Sequence, residues 1–159
     1  PLTMTGASVR LRSLSLASLL TLAAASAANA EDPCTAIPAT SRLPSYLVEG
    51  RPFRGEVVHI VDGDGLCVST GAGPNTWVEV RLENFFAPEL NEGGRQAKAV
   101  LSRLTLGKAA VCIPMRGMNG KLSQFDRVFA RCRIGNRDVG DLMRAAGVRE
   151  GGRGKHPRH

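Results

Sequence analysis

Aromatic residues are scarce in this chain, with one Trp, one Tyr and five Phe among 159 residues. Platforms that hold single-stranded nucleic acid by stacking use several rings, so that mode of binding is poorly supplied. Histidine occurs at three scattered positions and no C-x2-C pair exists, which removes the common zinc patterns. No internal repeat is present. The apolar run at residues 14–27 is too short to span a bilayer comfortably. A strong charge of one sign is also missing from the part expected to fold. The chain as a whole is +7, but two of its 21 bases (Arg10, Arg12) lie in the N-terminal segment and three (Arg153, Lys155, Arg158) near the C-terminus. That leaves 16 bases against 14 acids at residues 31–150. Such a mild basic balance permits a polyanionic partner without requiring one.

The N-terminal segment has the order of a secretory signal peptide. Arg10 and Arg12 form a positive flank, the apolar run follows, and Ala28-Asn29-Ala30 is an A-x-A cleavage site. The expectation is cleavage before Glu31, with the mature chain exported to the periplasm or beyond and no membrane contact afterwards. Residues 31–52 contain Pro33, Pro38, Pro44 and Pro52 and read as an extended lead-in. Residues 53–150 are long enough for one domain. Residues 151–159 are polar and glycine-rich and read as a disordered basic tail.

Within the domain, residues 55–89 organise the rest. A strand at 56–61, the Asp62-Gly63-Asp64-Gly65 turn, a strand at 66–69, a Gly/Pro/Asn loop and a strand at 77–82 form two successive hairpins. In the third strand Val78, Val80 and Leu82 alternate with Trp77, Glu79 and Arg81, so the apolar set faces inward and Glu79 and Arg81 face out. Residues 95–106 form a helix with Ala97, Val100, Leu101 and Leu104 on its core face. Strands at 108–115 and 127–134 follow, then a helix at 138–146 with Val139, Leu142, Met143 and Ala146 on one face. Five strands with a helix between the third and fourth suit a small Greek-key barrel of the OB-fold type, with two helices.

The same frame places chemistry. A carboxylate at a turn (Asp64), a guanidinium on a strand (Arg81) and a carboxylate just beyond it (Glu89) can meet at one end of the sheet. That set suits a phosphodiester: metal ligand, phosphate clamp and general base. Plainer readings stand beside it. Asp62 and Asp64 shape a turn, Arg81 pairs with Glu79 or Glu83, Arg127 pairs with Asp126 or Glu89, and Glu89 is a turn residue. Trp77 packs under the lead-in, and His59 is a strand histidine with no ionic role. Arg131 and Arg133, on the outer face of the last strand, offer an extension of a phosphate track.

Taken in order, these segments resemble the staphylococcal-nuclease (thermonuclease) family. The family's I-D-G-D-T turn, R-L-x-x-[IV]-D-[AT]-P-E segment and D-x-Y-G-R segment are met by residues 60–65, 81–89 and 123–127, and the order holds over residues 55–148. The resemblance implies Ca2+-dependent hydrolysis of DNA or RNA by a monomer. Glu89 would be the general base, Arg81 and Arg127 the phosphate-binding pair, Asp64 a metal ligand, and Asp62 its support from behind. With strands four and five side by side, as in the family fold, Cys112–Cys132 and Cys34–Cys67 are the favoured disulfides, against buried free thiols. Cys132 shares the inward face of Val128, Ala130 and Ile134, whereas the facing of Cys112 is not fixed by its neighbours.

The departures from the family carry equal information. Phe86 stands where the family has its second calcium-binding aspartate, Asp126 where it has glycine, and Gly65 where it has threonine. Calcium takes six to eight oxygens, usually from more than one carboxylate, and Phe86 offers none. The sequence therefore supports two readings: an exported phosphodiesterase with an incomplete calcium site, or a non-catalytic OB-type module that binds nucleic acid, another anion or a protein partner.

Overall fold

The computed structural model describes residues 32–40 and 42–152; the expected signal peptide and residues 153–159 of the expected tail lie outside the described residues. Strand alternation builds the barrel. In β3 (Trp77–Leu82), Val78, Val80 and Leu82 are fully buried. In β6 (Arg127–Ile134), Val128, Ala130 and Cys132 do the same from the facing strand. Between them in the sheet run β2 (Gly65–Ser69), β1 (Phe53–Ile60) and β4 (Ala109–Pro114). The order is β3-β2-β1-β4-β6, and β3 pairs with β6 to close the ring. That closing pair is parallel, whereas the other four joints of the ring are antiparallel. The result is a closed five-stranded mixed barrel with two helices, of the OB-fold type. Closure removes the unpaired edges that an open sheet of this size would expose.

Two short strands decorate it. β5 (Ser123–Gln124) forms a hairpin with β6, and β7 (Arg137–Asp138) pairs with the far end of β6. Neither was expected from periodicity, because two residues carry no alternation to read. β1 starts at Phe53, three residues earlier than the apolar alternation suggested, since its first residues pair with β4.

Helix α1 (Gly94–Thr105) buries Ala97, Val100 and Leu101 over one end of the barrel, matching its i, i+3, i+4 spacing. Helix α2 (Val139–Ala145) buries Val139 and Met143. Its N-cap is Asp138, whose carboxylate accepts the Asp141 N–H at 3.1 Å. No helix among the described residues is long and apolar enough to cross a membrane.

Both cysteine pairs are disulfide-bonded. Cys112 and Cys132 lie directly opposite each other on β4 and β6 and are fully buried. Cys34 and Cys67 join the lead-in to β2 across 33 residues of chain. The lead-in is further fixed by Thr35 N–H to Pro74 O and Ala36 N–H to Trp77 O, both 3.1 Å, and by burial of Ile37 and Leu47. It thus lies over the outer face of β2 and β3. Glu79 does face outward from the barrel core, yet it is only 3% exposed, because the lead-in covers that face.

Candidate functional site

The turn between β1 and β2 is fixed by its own side chains. Asp62 Oδ1 accepts the Asp64 N–H at 3.0 Å, and the Leu82 N–H bonds to Asp64 O at 2.8 Å, which ties the turn to β3. Gly63 must be glycine: a Cβ there would lie 2.5 Å from the Ala87 Cβ and 2.8 Å from the Ala97 Cβ. The turn therefore presses directly against the loop after β3 and against α1.

That contact places Asp64 beneath Ala87, whose N–H donates to Asp64 Oδ2 at 2.8 Å. Arg81 reaches the same oxygen from β3 with Nη2 at 2.8 Å, and its Nη1 lies 3.8 Å from Asp62. Asp64 is 2% exposed. Burial pushes its carboxyl up to about 7, with Arg81 pulling the other way and Asp62 adding to the rise. Glu89 is set by its own backbone. Its carbonyl accepts the N–H groups of Glu92 and Gly94, so it sits where α1 begins. Asp62, Asp64, Arg81, Ala87 and Glu89 surround one cavity of about 130 Å³.

Arg81 also lines a second cavity of about 270 Å³, with Phe86, Met118, Gln124, Arg127 and Phe129. Arg127 opens β6 beside Glu79 in the parallel β3–β6 register, and its Nη1 lies 3.9 Å from Glu79 Oε1. Glu79 is pushed up to about 8, first by burial, then by the nearby carboxylates of Asp32 and Asp126, with Arg127 opposing. Asp32 is itself held in the lead-in, where it accepts the Cys34 N–H at 2.9 Å.

The structure thus brings Asp62, Asp64, Arg81 and Glu89 together, and brings Arg127 to the far side of Arg81. It does not bring Arg131 to either cavity. That side chain is paired with Glu83 at 2.8 Å, and Arg133 bonds to the Asn136 carbonyl at 2.6 Å. Arg127 lies at ion-pair distance from Glu79, a partner that was not among the alternatives the sequence offered.

Three contributors were not foreseen. Buried Glu79 and half-buried Asp32 form an acidic pair behind Arg127. The clue available was register: Cys67 faces Glu79 across β2–β3, so bonding Cys34 to Cys67 carries Asp32 to Glu79. The third is Glu150. Its carboxylate accepts the Phe86 N–H at 3.3 Å and the Arg144 Nε–H at 3.2 Å, while the Gly151 N–H donates to Phe86 O at 3.0 Å. The start of the expected tail therefore clamps the loop that carries Phe86 and Glu89. No sequence pattern signals that contact.

Calcium fits this donor set poorly. Asp64 Oδ2 already receives the Ala87 N–H and Arg81, Asp62 Oδ1 receives the Asp64 N–H, and Phe86 supplies no oxygen. Among the described residues, the one trio of potential ligands within common reach is Asp32, Cys34 and Cys67. Its two sulfurs are bonded to each other, so it offers no thiolate. No model of a known protein family matches the chain, and no curated protein matches it.

Proposed function

We propose that the protein is an exported phosphodiesterase of the thermonuclease type that acts on DNA or RNA. One observation carries the reading. Arg81 is a wall common to both cavities, with Asp64 and Glu89 on one side and Arg127 on the other. A phosphodiester seated at Arg81 has a carboxylate on one flank and a second guanidinium on the opposite flank. Glu89 takes the proton of an attacking water. The new P–O bond forms as the bond to the leaving oxygen breaks, and Arg81 and Arg127 balance the extra negative charge of the five-coordinate transition state. No step is assigned to calcium, because the donor set around Asp64 does not fit it.

To engage phosphate, each arginine exchanges a carboxylate for a phosphate oxygen: Arg81 leaves Asp64 and Arg127 leaves Glu79. Substrate thus competes with internal partners, which suits slow turnover. The test is cleavage of single- and double-stranded DNA and of RNA by the chain from Glu31 onward, with Ca2+ and with chelator, beside Glu89→Gln and Arg81→Ala. Cleavage that persists in chelator and is lost in both variants is the expected result. Cleavage equal in wild type and variants overturns the reading.

Phe86 favours a second reading. The ring at that position gives the larger cavity a second aromatic side chain beside Phe129, in a lining that also holds Arg81 and Arg127. A pocket of that kind holds an aromatic anion or a nucleic-acid strand without turning it over. Salt-sensitive binding with no cleavage identifies this case.

A further inference from the structure

We propose that the groove between β1 and α1 is a second contact for the nucleic-acid backbone, separate from the Arg81 cavities; this rests on the reading that a nucleic acid is the ligand. The groove encloses about 450 Å³ and is lined by His59, Arg95, Lys98, Ala99 and Ser102. Arg95, Lys98 or Ala99, and Ser102 follow one another at helical spacing, so they form one stripe on α1. His59 faces that stripe from β1 and, with Ser102, adds hydrogen-bond donors.

The lining of this groove holds two bases and no acid, in contrast to the two cavities at Arg81, whose linings include Glu83 in one and Asp62, Asp64 and Glu89 in the other. Arg81, Arg116, Arg127, Arg131 and Arg144 each lie within ion-pair distance of a carboxylate. Among the described residues no carboxylate comes within that distance of Arg95 or Lys98. The sequence of α1, GRQAKAVLSRLT, holds three bases and no acid. Two unpaired cations on a concave surface attract an anion without first breaking an internal pair, which the arginines of the candidate site must do.

Position argues for nucleic acid as the anion. Gly94, the first residue of α1, lines the cavity that holds Asp64 and Glu89, and Arg95 is the next residue. The groove therefore begins where the candidate site ends. From Arg95 to Ser102 the helix rises about 10 Å, at about 1.5 Å per residue. With phosphates of one strand about 3.4 Å apart along a duplex axis, that length covers roughly three phosphates. A strand with one phosphate at Arg81 thus continues along α1. The contact is to backbone charge alone, so it adds affinity without adding sequence preference.

Two ligands separate the groove from the site: a labelled oligonucleotide of about twenty residues, long enough for both, and a dinucleotide that reaches only the Arg81 cavities. Binding is followed by fluorescence anisotropy over a salt series, on the chain from Glu31 onward. For the oligonucleotide, Arg95→Ala/Lys98→Ala is expected to weaken binding about tenfold at low salt and to reduce the salt slope by about 1.5 to 2. Ala99→Glu, which places an acid in the same groove at an exposed position, is expected to act in the same direction. Neither change is expected to affect the dinucleotide, whereas Arg81→Ala weakens both ligands. An unchanged slope in both groove variants overturns the second contact and leaves the candidate site standing. Absence of oligonucleotide binding by the wild type overturns both. Loss of binding to anionic lipid vesicles in the groove variants, with oligonucleotide binding intact, also overturns it and assigns the groove to a membrane surface.

Discussion

Arg81 and Arg127 sit on the two strands that close the barrel, and each faces a buried carboxylate, yet the two pairs are built differently. Arg81 meets Asp64 at 2.8 Å, and a backbone N–H shares the same oxygen. Arg127 meets Glu79 only at 3.9 Å, and two further carboxylates crowd Glu79. The first pair is assembled from segments close in sequence, a turn and the strand that follows the next hairpin. The second exists only because the lead-in, pinned by Cys34–Cys67, covers the outer face of β3. A tight, hydrogen-bonded pair supports the fold. A looser pair under like-charge crowding holds its arginine less firmly and leaves it more available to an anion.

The largest effect that sharpens this contrast is on stability. Arg81→Ala leaves the Asp64 carboxyl, 2% exposed, with only the Ala87 N–H. Breaking a buried pair from one side costs about 3 to 5 kcal/mol, and the partial exposure of Arg81 puts this case at the low end. A fall in Tm of roughly 10 °C is expected near pH 8, and Arg81→Ala/Asp64→Asn should recover much of it. Arg127→Ala should lower Tm far less, because Glu79 is easily held neutral. Equal losses for the two arginines, measured by calorimetry, would break the comparison.

The next effect is a pH dependence. Glu79 rises from 4.5 to about 8 on folding, so the folded state binds the extra proton between those values. Its contribution to stability is complete below about 4.5 and is lost as pH climbs to about 8. Asp64 acts in the same direction over a lower window, from 3.8 to about 7. Glu79→Gln carries no proton to lose. Its Tm is expected to equal that of the wild type near pH 5 and to exceed it by roughly 5 °C at pH 8.5. The decline that remains in the variant should end near 7, where Asp64 finishes titrating. A wild-type Tm that rises between pH 5 and 8 would contradict the burial of Glu79 beside Asp32.

These two carboxylates also mark how far the sequence could be read. Alternation in β3 assigned Val78, Val80 and Leu82 to the core, and five alternating runs with an intervening helix were enough for the barrel. The D-G-D turn and the strand arginine are close in sequence, so their meeting followed from hairpin geometry. Alternation says which face a residue takes but not what covers that face. The outward face of Glu79 was legible, and only the path of the lead-in shows that this face is buried. Glu150 escaped notice for a related reason. It acts through single hydrogen bonds between two irregular segments, and no periodicity records such contacts. Arg131 read as part of a phosphate track because its outward face was legible, whereas its engagement with Glu83 was not.

The smallest expected effect tests why Asp64 pairs with an arginine rather than with a metal. Phe86 lines the larger cavity beside Arg81, one residue from the Ala87 N–H that donates to Asp64. Phe86→Asp supplies a second carboxylate near Asp64 and competes with Asp64 for Arg81. The change replaces a half-buried ring, so a modest loss of stability accompanies it. The informative readout is therefore the shift that Ca2+ produces within each protein. In 10 mM Ca2+ the wild type is expected to show no change in Tm. The variant is expected to rise by a few degrees, the stabilisation of about 1.4 kcal/mol given by a site with a Kd near 1 mM. Mg2+, which demands a tighter octahedral set, should do less. If Ca2+ stabilises the wild type as much as Phe86→Asp, then Arg81 does leave Asp64 for a metal. The tight pair of the comparison would then be as exchangeable as the loose one.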